Sequence, residues 1–234
     1  MNLQDAIILL TGARRGIGWA LFQEFTARGA TVIGCSLTGD AAHSIQAVDV
    51  RDSSQVQSFV DAAVRTHGRI DAVIANAGWI SPREPLASVH VEDYSHQMQT
   101  NVDGTFFLLR AALPVLRRQN SGAVVAIGSR AVRRGHPYLS VYCASKFAVK
   151  GMMESLSREL IEEKSAVRSF LISPGGVDTD MRAGLYGEED SRRQQSPKEV
   201  ARIVAQILSE EISVPHGADI SIVGGAITDV VTLS

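Results

Sequence analysis

Residues 6–18 read AIILLTGARRGIG, an apolar run that leads into a glycine-rich turn. The run at 6–10 is continuously apolar, as is typical of a strand that is covered on both faces of a sheet. Gly12, Gly16 and Gly18 stand where a side chain would block a tight turn or the close approach of a phosphate group. We interpret the turn as a cradle for a nucleotide pyrophosphate; the alternative is a turn that merely joins two elements.

The rest of the chain repeats the same strand-then-helix pattern. Apolar runs predict further strands at residues 31–35, 72–75, 123–128, 167–173 and 218–223. Apolar residues at helical spacing predict helices at 16–28, 53–66, 94–117, 141–163 and 197–209. The alternation predicts one α/β domain over residues 1–234, a doubly wound Rossmann fold with a parallel sheet of about seven strands and helices on both faces. Ligands of such sheets bind at the carboxyl ends of the strands.

Composition limits the classes of partner. The 234 residues include 23 basic and 25 acidic side chains, a formal charge of −2, which argues against a nucleic-acid or membrane partner and favours a small molecule. Cys35 and Cys143 fall in a predicted strand end and a predicted helix, so we expect no disulfide framework and a reducing cytoplasm. We identify no targeting segment and no apolar stretch long enough to cross a membrane, and we predict no metal site.

A phenol and an ammonium group are predicted to lie one turn apart on the helix at 141–163. Tyr142 and Lys146 are four residues apart, which places both side chains on one face. A phenol with an ordinary pKa of ~10 is mostly protonated at neutral pH, and a neighbouring cation stabilises the phenolate left after proton donation. The pair therefore suggests proton transfer to or from a substrate oxygen, although many helices carry such a pair on their surface.

Several motifs occur together in a fixed order. The GxxxGxG turn is followed by Asn76-Ala77-Gly78, by Ser129 thirteen positions before Tyr142, by the Tyr142/Lys146 pair and by Pro174-Gly175-Gly176-Val177-Asp178-Thr179. With these motifs the chain resembles the short-chain dehydrogenases/reductases over residues 11–225, and it closely resembles the branch that includes the β-ketoacyl carrier-protein reductases. The resemblance implies an oxidoreductase that acts on carbonyl and alcohol groups.

The resemblance also implies a catalytic tetrad of Asn101, Ser129, Tyr142 and Lys146. Tyr142 would be the general acid in carbonyl reduction and the base in alcohol oxidation. Lys146 would lower the pKa of the phenol and hydrogen-bond the nicotinamide ribose. Ser129 would hold the substrate oxygen, and Asn101 would kink the long helix and hold a water molecule beside Lys146.

A dinucleotide cofactor is implied as well, and the end of the second strand indicates which one. An Asp or Glu there would bind the adenine ribose of NAD, but this position is Ser36. Arg14, Arg15 and Thr38 offer positive charge and hydrogen bonds to a 2′-phosphate, so NADP(H) is favoured and NAD(H) is the alternative. Asp40 is a rival acidic residue, which we interpret as a solvated turn residue.

The cofactor contacts that the resemblance implies are spread along the chain. Asp49 would bind the adenine amino group and Val50 would pack on the ring, while Thr179 and the Val177 backbone would seat the nicotinamide. Asn76 and Gly78 would shape the loop behind the cofactor rather than take part in chemistry. The full predicted set is Gly12, Arg14, Arg15, Gly16, Ile17, Gly18, Ser36, Thr38, Asp49, Val50, Asn76, Ala77, Gly78, Tyr142, Lys146, Pro174, Gly175, Val177 and Thr179.

Two segments are candidates for substrate contacts. Residues 180–196 match the family's substrate lid, which we expect to move. Its polar side chains either meet the substrate or only keep the lid soluble: Arg182, Tyr186, Arg192 and Arg193. A second set directly after Ser129 either lines the mouth of the site or forms a solvated loop face: Arg130, Arg133, Arg134 and His136. Trp79, Ile80 and Tyr138 are further candidates for the pocket wall.

We therefore predict an NADP(H)-dependent oxidoreductase of undefined substrate. Two alternatives stay open: a 3-oxoacyl-(carrier protein) reductase, which Glu162 and Glu163 disfavour because the carrier is itself acidic, and a non-catalytic dinucleotide-binding regulator. The resemblance implies a homodimer or homotetramer, in which the strand at 218–223 and the apolar tail after it pair across a symmetric interface.

Overall fold

The centre of the protein is one β-sheet, seen in a computed structural model that describes residues 1–232. Its strands are β1 (Ile7–Thr11), β2 (Thr31–Ser36), β3 (Gln46–Ala47), β4 (Ala72–Ala75), β5 (Ala123–Ile127), β6 (Arg168–Pro174), β7 (Ala218–Val223) and β8 (Ala226–Thr232). The spatial order is β3-β2-β1-β4-β5-β6-β7-β8. β1 to β7 pair in parallel, and β8 is antiparallel to β7.

Helices cover both faces of this sheet. They are α1 (Gly16–Ala27), α2 (Ser53–His67), α3 (Val91–Met98), α4 (Gly104–Gln119), α5 (Ser140–Glu162), α6 (Asp180–Tyr186), α7 (Glu188–Arg192) and α8 (Pro197–Leu208). α1 and α8 pack on one face, whereas α2, α4 and α5 pack on the other. The predicted α/β doubly wound fold is confirmed, with eight strands where about seven were expected.

Side chains that alternate along β1 explain the two-sided core. Ile8 and Leu10 point into the layer of α1 and α8, and Leu9 points into the layer of α2, α4 and α5. All three side chains are completely buried. Because successive strand residues face opposite sides of a sheet, a strand covered on both faces needs an uninterrupted apolar run. The apolar run at 6–10 meets this requirement.

The sheet changes its direction of winding between β1 and β4. β2 lies on one side of β1, and β4 lies on the other. Where the winding reverses, the loops that leave the carboxyl ends of the two strands diverge and open a crevice, which is where open α/β sheets bind ligands. The glycine turn leaves β1 at this point, and the Asn76-Ala77-Gly78 loop leaves β4 beside it.

The C-terminal segment differs from its prediction. Gly224 and Gly225 have φ angles of +59° and +73°, which suit a two-residue hairpin turn. The turn folds β8 back along β7, so the outer side of β7 is filled by the same chain. The strand at this edge of the sheet is therefore β8, which contains the predicted apolar tail, and not β7; pairing across a symmetric interface stays a prediction.

The long helix predicted at 94–117 consists of two helices joined by a π-helical turn. α3 ends at Met98, the turn covers Gln99–Asp103, and α4 begins at Gly104. A π turn accommodates one extra residue in the helical path, and such turns are frequent at functional sites. Asn101 lies in the turn and is buried. The helix is thus irregular at Asn101, where a kink was predicted, and the irregularity is a π turn.

Ser196 starts α8 with a capping box. Its Oγ accepts a hydrogen bond from Glu199 N at 3.3 Å, and the Glu199 carboxylate accepts one from Ser196 N at 2.6 Å. We predict that Ser196→Ala lowers the free energy of unfolding by about 1 kcal/mol, because one N–H group of the first turn loses its acceptor. Urea unfolding followed by circular dichroism measures the change.

Ser58→Ala, at an exposed serine inside α2, is the matched control for this prediction. It should alter the free energy of unfolding by no more than about 0.5 kcal/mol. Equal losses in the two variants would contradict the capping role of Ser196.

Candidate active site

The glycine turn leaves no room for side chains and leaves backbone donors free. Gly12 has a φ of +68°, and a Cβ there would lie 2.8 Å from Ala77 Cα. A Cβ at Gly18 would lie 2.0 Å from the Gly12 carbonyl oxygen. α1 begins immediately after Arg15, and no side chain caps it. The N–H groups of the first helical turn are therefore available to a phosphate group, and the turn fits the predicted pyrophosphate cradle.

Asn76 fixes the loop after β4 to this turn. Its Nδ2 donates to Thr11 O at 2.9 Å and to Gly12 O at 3.1 Å. In return, Thr11 Oγ1 accepts from the backbone N–H groups of Asn76 at 3.2 Å and Ala77 at 3.1 Å. This geometry agrees with the prediction that Asn76 shapes the loop. Thr11 was not among the predicted site residues, although its place as the last residue of β1 was a signal for it.

The adenosine end of the crevice has unpaired positive charge and one unused hydroxyl. Arg14 Nη1 donates to Thr38 Oγ1 at 2.5 Å, and Arg15 is exposed beside it. Within residues 1–232, neither arginine forms an ion pair with a carboxylate. The Ser36 Oγ atom is buried and has no hydrogen-bond partner. These groups suit the ribose and 2′-phosphate of NADP.

The rival acid Asp40 is already engaged. Its carboxylate accepts from Ala42 N and lies 3.0 Å from His43 Nδ1, which together hold it in its own turn. Hydrogen bonding by His43 is also the main reason why the pKa of Asp40 is lowered. The interpretation of Asp40 as a turn residue agrees with these contacts.

Asp49 and Val50 have partners within the protein. Arg51 donates to both Asp49 carboxylate oxygens, at 2.6 and 2.9 Å, and this hydrogen bonding lowers the pKa of Asp49. Val50 is buried against Gly104, where an added Cβ would lie 2.8 Å from Val50 Cγ2. An adenine amino group would share the Asp49 carboxylate with Arg51, and the adenine contacts of both residues stay predictions.

The catalytic candidates meet where β5 ends against α5. Lys146 is buried and its Nζ donates to Ile127 O, the last residue of β5, at 2.8 Å. The same Nζ lies 5.8 Å from the centre of the Tyr142 ring. Ser129 follows β5 by two residues, and its side chain is close enough to Tyr142 to lower the pKa of the phenol. The structure thus brings Ser129, Tyr142 and Lys146 together at the carboxyl edge of the sheet.

Asn101 holds the surroundings of Lys146 in place. Its Oδ1 accepts from Trp79 N at 2.7 Å, and its Nδ2 donates to Trp79 O at 2.9 Å and to Ser145 Oγ at 3.0 Å. Ser145 Oγ in turn donates to Tyr142 O at 2.8 Å. Every polar atom of the Asn101 amide is therefore used to connect the loop after β4 with α5, and its predicted water molecule stays a prediction. Ser145 was missed, although it lies between Tyr142 and Lys146.

Gly78 shows how close the cofactor loop comes to the catalytic residues. A Cβ at Gly78 would lie 3.5 Å from Asn101 Oδ1 and 3.9 Å from Lys146 Nζ. The glycine turn, the loop after β4 and the catalytic residues therefore form one continuous surface. Ser36, Thr38, Asp49 and Val50 lie at the ends of β2 and β3, the adenosine side.

Burial dominates the electrostatics of the catalytic pair. It lowers the pKa of Lys146 to about 8, because the ammonium is removed from water. It also raises the pKa of Tyr142, and hydrogen bonding by Ser129 offsets this only in part. The net direction for the phenol is therefore upward, because desolvation outweighs the hydrogen bonding, and the lowering of this pKa by Lys146 stays a prediction.

The nicotinamide end of the predicted cofactor site packs against the glycine turn. Thr179 Cγ2 lies 3.2 Å from where a Gly16 Cβ would stand. Thr179 also caps α6, and its N–H donates to Ser191 Oγ at 3.2 Å. Val177 is buried and bridges to Gln195. Pro174 is the last residue of β6, and Gly175 follows it and donates its N–H to Ile222 O. Ile17 packs on the core.

The lid at 180–196 consists of α6 and α7. Arg182 Nε donates to Asp190 Oδ1 at 2.7 Å, which ties the two helices together. Arg192 and Arg193 form ion pairs with Glu188 and Glu189 on the exposed side of α7. These contacts favour the solubilising interpretation for Arg192 and Arg193. The mobility of the lid stays a prediction.

Arg133 does not line the mouth of the site. It forms ion pairs with Asp219 of β7 at 3.3 Å and with Asp229 of β8 at 3.2 Å. Asp219 is completely buried, and this burial raises its pKa. Arg133 therefore anchors the loop after Ser129 to the sheet, while Arg130 and Arg134 are exposed.

A small apolar cluster forms the wall beside Tyr142. Ala131, Leu139 and Cys143 are buried together, and Ile80, Tyr142 and Leu185 pack against them. Trp79 stacks on His96, with ring centres 4.5 Å apart. Ile80 thus lies where it was predicted. Leu139 and Leu185 were missed, because apolar residues in loops and lids have no spacing that marks them.

Within residues 1–232, no group of His, Cys, Asp or Glu side chains is arranged to hold a metal ion. The helices of the same region include none that is both long and apolar enough to cross a membrane.

Comparison with known proteins identifies similar sequences. Residues 6–190 match the family described as short chain dehydrogenase. The NADPH-dependent pterin aldehyde reductase of Arabidopsis thaliana is 29% identical over 214 residues, covering 86% of this chain and 87% of that protein. The 3-oxoacyl-(acyl-carrier-protein) reductase FabG of Escherichia coli is 28% identical over 243 residues, covering 96% of this chain and 98% of that protein.

Solved structures show the same fold. The 3-ketoacyl-(acyl-carrier-protein) reductase of Brucella melitensis, complexed with NADH, has a TM-score of 0.86 at 23% identity, covering 95% of this chain and 98% of that one. At this identity the likeness supports the fold alone. A short chain dehydrogenase of Shigella flexneri, complexed with NADP, has a TM-score of 0.80 at 29% identity, covering 88% of this chain and 92% of that one.

The lowered pKa of Lys146 makes stability depend on pH. Because the folded pKa of about 8 lies below the ordinary 10.5, the unfolded chain binds more protons between these values, and stability rises with pH. We predict that wild type gains about 2 kcal/mol relative to Lys146→Met between pH 7.5 and 9.5, because the methionine carries no proton to lose. Urea unfolding across this range measures the difference, and a constant difference would contradict the buried, destabilised ammonium.

Proposed function

The chain belongs to the short-chain dehydrogenases/reductases, and from this membership we propose that it is an NADP(H)-dependent oxidoreductase with Tyr142 as its general acid and base. As a family member it is an oxidoreductase that acts on carbonyl or alcohol groups. One observation carries the proposal for Tyr142. Its phenol lies near Ser129 and one helical turn from the buried Lys146, at the carboxyl edge of the sheet beside the loops of the predicted cofactor site.

The residues of the site divide the work of carbonyl reduction. NADPH, when bound, supplies a hydride to the carbonyl carbon. Tyr142 would donate its phenolic proton to the carbonyl oxygen, so that the hydride and the proton together convert C=O to CH–OH. Ser129 Oγ holds the same oxygen, and the positive charge on Lys146 stabilises the phenolate until Tyr142 is protonated again. Alcohol oxidation runs these steps in reverse.

A raised pKa of the Tyr142 phenol suits its role as general acid in reduction more than its role as general base in oxidation. At neutral pH, Tyr142 is protonated and ready to donate, because burial disfavours its anion. Lys146, with a pKa of about 8, carries its charge at neutral pH and loses it as the pH rises through this value. Reduction is therefore favoured near neutral pH, where both the proton and the cation are in place.

The preference for NADP(H) rests on the adenosine end. Arg14 and Arg15 have no carboxylate partner in the described chain, and Arg14 reaches across to Thr38. Ser36 stands where an acidic residue would repel a 2′-phosphate, and Asp40 is held by its own turn. The Arabidopsis relative is NADPH-dependent, and the Shigella structure contains NADP, which both support this choice.

A 3-oxoacyl-(carrier protein) reductase is the second candidate. The similarity to the Escherichia coli reductase over 96% of this chain favours it. The end of α5 disfavours it, because Glu159, Glu162 and Glu163 form an acidic surface and Arg117 pairs with two of them. An acidic carrier would be repelled there. A non-catalytic regulator is disfavoured by the assembled Ser129, Tyr142 and Lys146.

We further propose that the protein forms a homodimer or homotetramer.

The Tyr142→Phe variant tests whether Tyr142 is the general acid. We predict that kcat/KM for carbonyl reduction falls about 100- to 10,000-fold, because phenylalanine has no proton to donate. NADPH binding should stay within about threefold, since the ring is kept. NADPH oxidation is measured with a panel of ketones, aldehydes and ketoacyl thioesters, and Tyr94→Phe, at an exposed tyrosine of α3, is the control.

The panel separates the candidate functions. Turnover of thioesters alone would favour the carrier-protein reductase. NADPH binding without turnover of any compound by wild type would favour the non-catalytic regulator. Undiminished turnover by Tyr142→Phe would show that another group is the acid.

The double variant Arg14→Gln/Arg15→Gln tests the preference for NADPH over NADH. Loss of two guanidinium groups beside the 2′-phosphate should raise the KM for NADPH about 10- to 100-fold, since a charge-assisted hydrogen bond contributes about 1.5–3 kcal/mol. The KM for NADH should stay within about threefold. Arg28→Gln, at the other end of α1 where Arg28 pairs with Glu24, is the control. Equal increases for both nucleotides would contradict the assignment.

A further inference from the structure

Arg83 lies between two aromatic rings at the mouth of the site. Its Cζ is 4.7 Å from the ring centre of Tyr186 and 5.7 Å from that of Tyr138. The three residues come from different segments: the loop after β4, the loop after β5, and lid helix α6. A backbone hydrogen bond from Glu84 N to Tyr138 O, at 3.2 Å, holds the first two segments together. The position of Arg83 is therefore fixed from both sides.

This rim is next to the reacting phenol. Leu185, which precedes Tyr186, packs on the same apolar cluster as Tyr142. Tyr186 is also near enough to Tyr142 to contribute to the raised pKa of its phenol. A substrate whose carbonyl reaches Tyr142 therefore passes along the apolar wall and ends near Tyr186 and Arg83.

Arg83 is an uncompensated cation at this rim. Arg182 also lies over the Tyr186 ring, at 4.4 Å, but its Nε donates to Asp190. Across residues 1–232, the Arg83 guanidinium has neither a carboxylate within ion-pair distance nor a hydrogen-bond acceptor. Its sequence neighbour Glu84 forms no ion pair with it. Two guanidinium groups thus face Tyr186, and of these two only Arg182 has a carboxylate partner among residues 1–232.

The chemistry of a stacked guanidinium indicates what it binds. Packing on tyrosine faces uses the flat surface of the group and leaves the N–H donors at its edge free. These donors form a planar fork that matches the two oxygens of a carboxylate. A single unpaired guanidinium also matches the single charge of a carboxylate.

We propose that Arg83 binds a carboxylate of the substrate, so that the enzyme reduces keto acids in which an apolar chain separates the carboxylate from the carbonyl. The inference rests on the proposed function, because the carbonyl end is the one placed at Tyr142. Ile80 and Leu185 are only partly buried where they pack on the cluster beside Tyr142, so their exposed parts are placed to accept the chain. The hydride and proton go to the ketone as before, and the carboxylate is unchanged.

Matched acids and esters test the proposal. The substrates are methyl-ketone acids of increasing length, from acetoacetate through levulinate to oxoheptanoate, each compared with its methyl ester. Wild type should prefer one of the acids over its ester. In Arg83→Gln, kcat/KM for that acid should fall about 10- to 100-fold, mainly through KM, while kcat/KM for the ester stays within about threefold. Arg83→Lys, which keeps the charge without the fork, should lose less.

Arg192→Gln is the charge-matched control, because Arg192 is an exposed lid arginine paired with Glu188. It should leave the preference for the acid unchanged. If Arg83→Gln lowers kcat/KM equally for acid and ester, Arg83 only holds the lid and the proposal is wrong. It is also wrong if wild type does not distinguish any acid from its ester.

A binding measurement keeps this test independent of turnover. NADP⁺-loaded protein cannot reduce a ketone, so calorimetric titration with the same acids and esters reports recognition alone. Tighter binding of acid than ester by wild type, lost in Arg83→Gln, would support the role of Arg83 even if no compound were reduced. Absence of turnover would contradict the proposed function, whereas equal binding of acid and ester would contradict the role of Arg83.

Discussion

A buried ammonium group is the constraint on which the rest of the site depends. Lys146 is 6% exposed, and in residues 1–232 its Nζ has a backbone carbonyl as acceptor but no carboxylate partner. A charge buried in this way costs several kcal/mol, and the lowered pKa expresses that cost. Lys146 is held in place because it belongs to α5 and its Nζ is bonded to the end of β5. Such an unfavourable charge beside a phenol is expected where the charge has a chemical use.

The π turn and Asn101 explain how the surroundings of Lys146 stay in register. A regular helix would leave no extra residue to turn inward, whereas the π turn places the Asn101 amide between two segments. Oδ1 and Nδ2 of this amide both pair with the Trp79 backbone, as a strand would, and Nδ2 also donates to Ser145 Oγ. Removal of this amide would leave buried backbone groups without partners, which is more costly than the loss of one hydrogen bond. Asn101 is thus a positioning residue in this structure.

The sequence predicted those parts of the molecule that follow from local rules. Strand and helix alternation comes from periodicity, and the tetrad is implied by the family resemblance, whose motifs are visible along the chain. The failures involve residues whose partners are distant in sequence. β8 forms by pairing with the free edge of β7, which exists only in the folded sheet. The ion pair between Arg133 and Asp219 joins the loop after β5 to a strand much later in the chain. The Tyr142 pKa depends on burial, which no spacing records.

The residues for proton transfer and the residues at the rim of the site also differ in whether local sequence determines their positions. Tyr142, Lys146 and Ser129 lie on or next to regular elements of the sheet edge, so one backbone geometry fixes them. The rim of the site is built from two loops and a lid helix, whose contacts arise only when the fold is complete. Arg83 has an aromatic partner on each side and, in the part of the chain that the structure describes, no acid to neutralise it, an arrangement that no single segment encodes. A proton-transfer site common to a family can therefore carry a substrate preference that belongs to this chain.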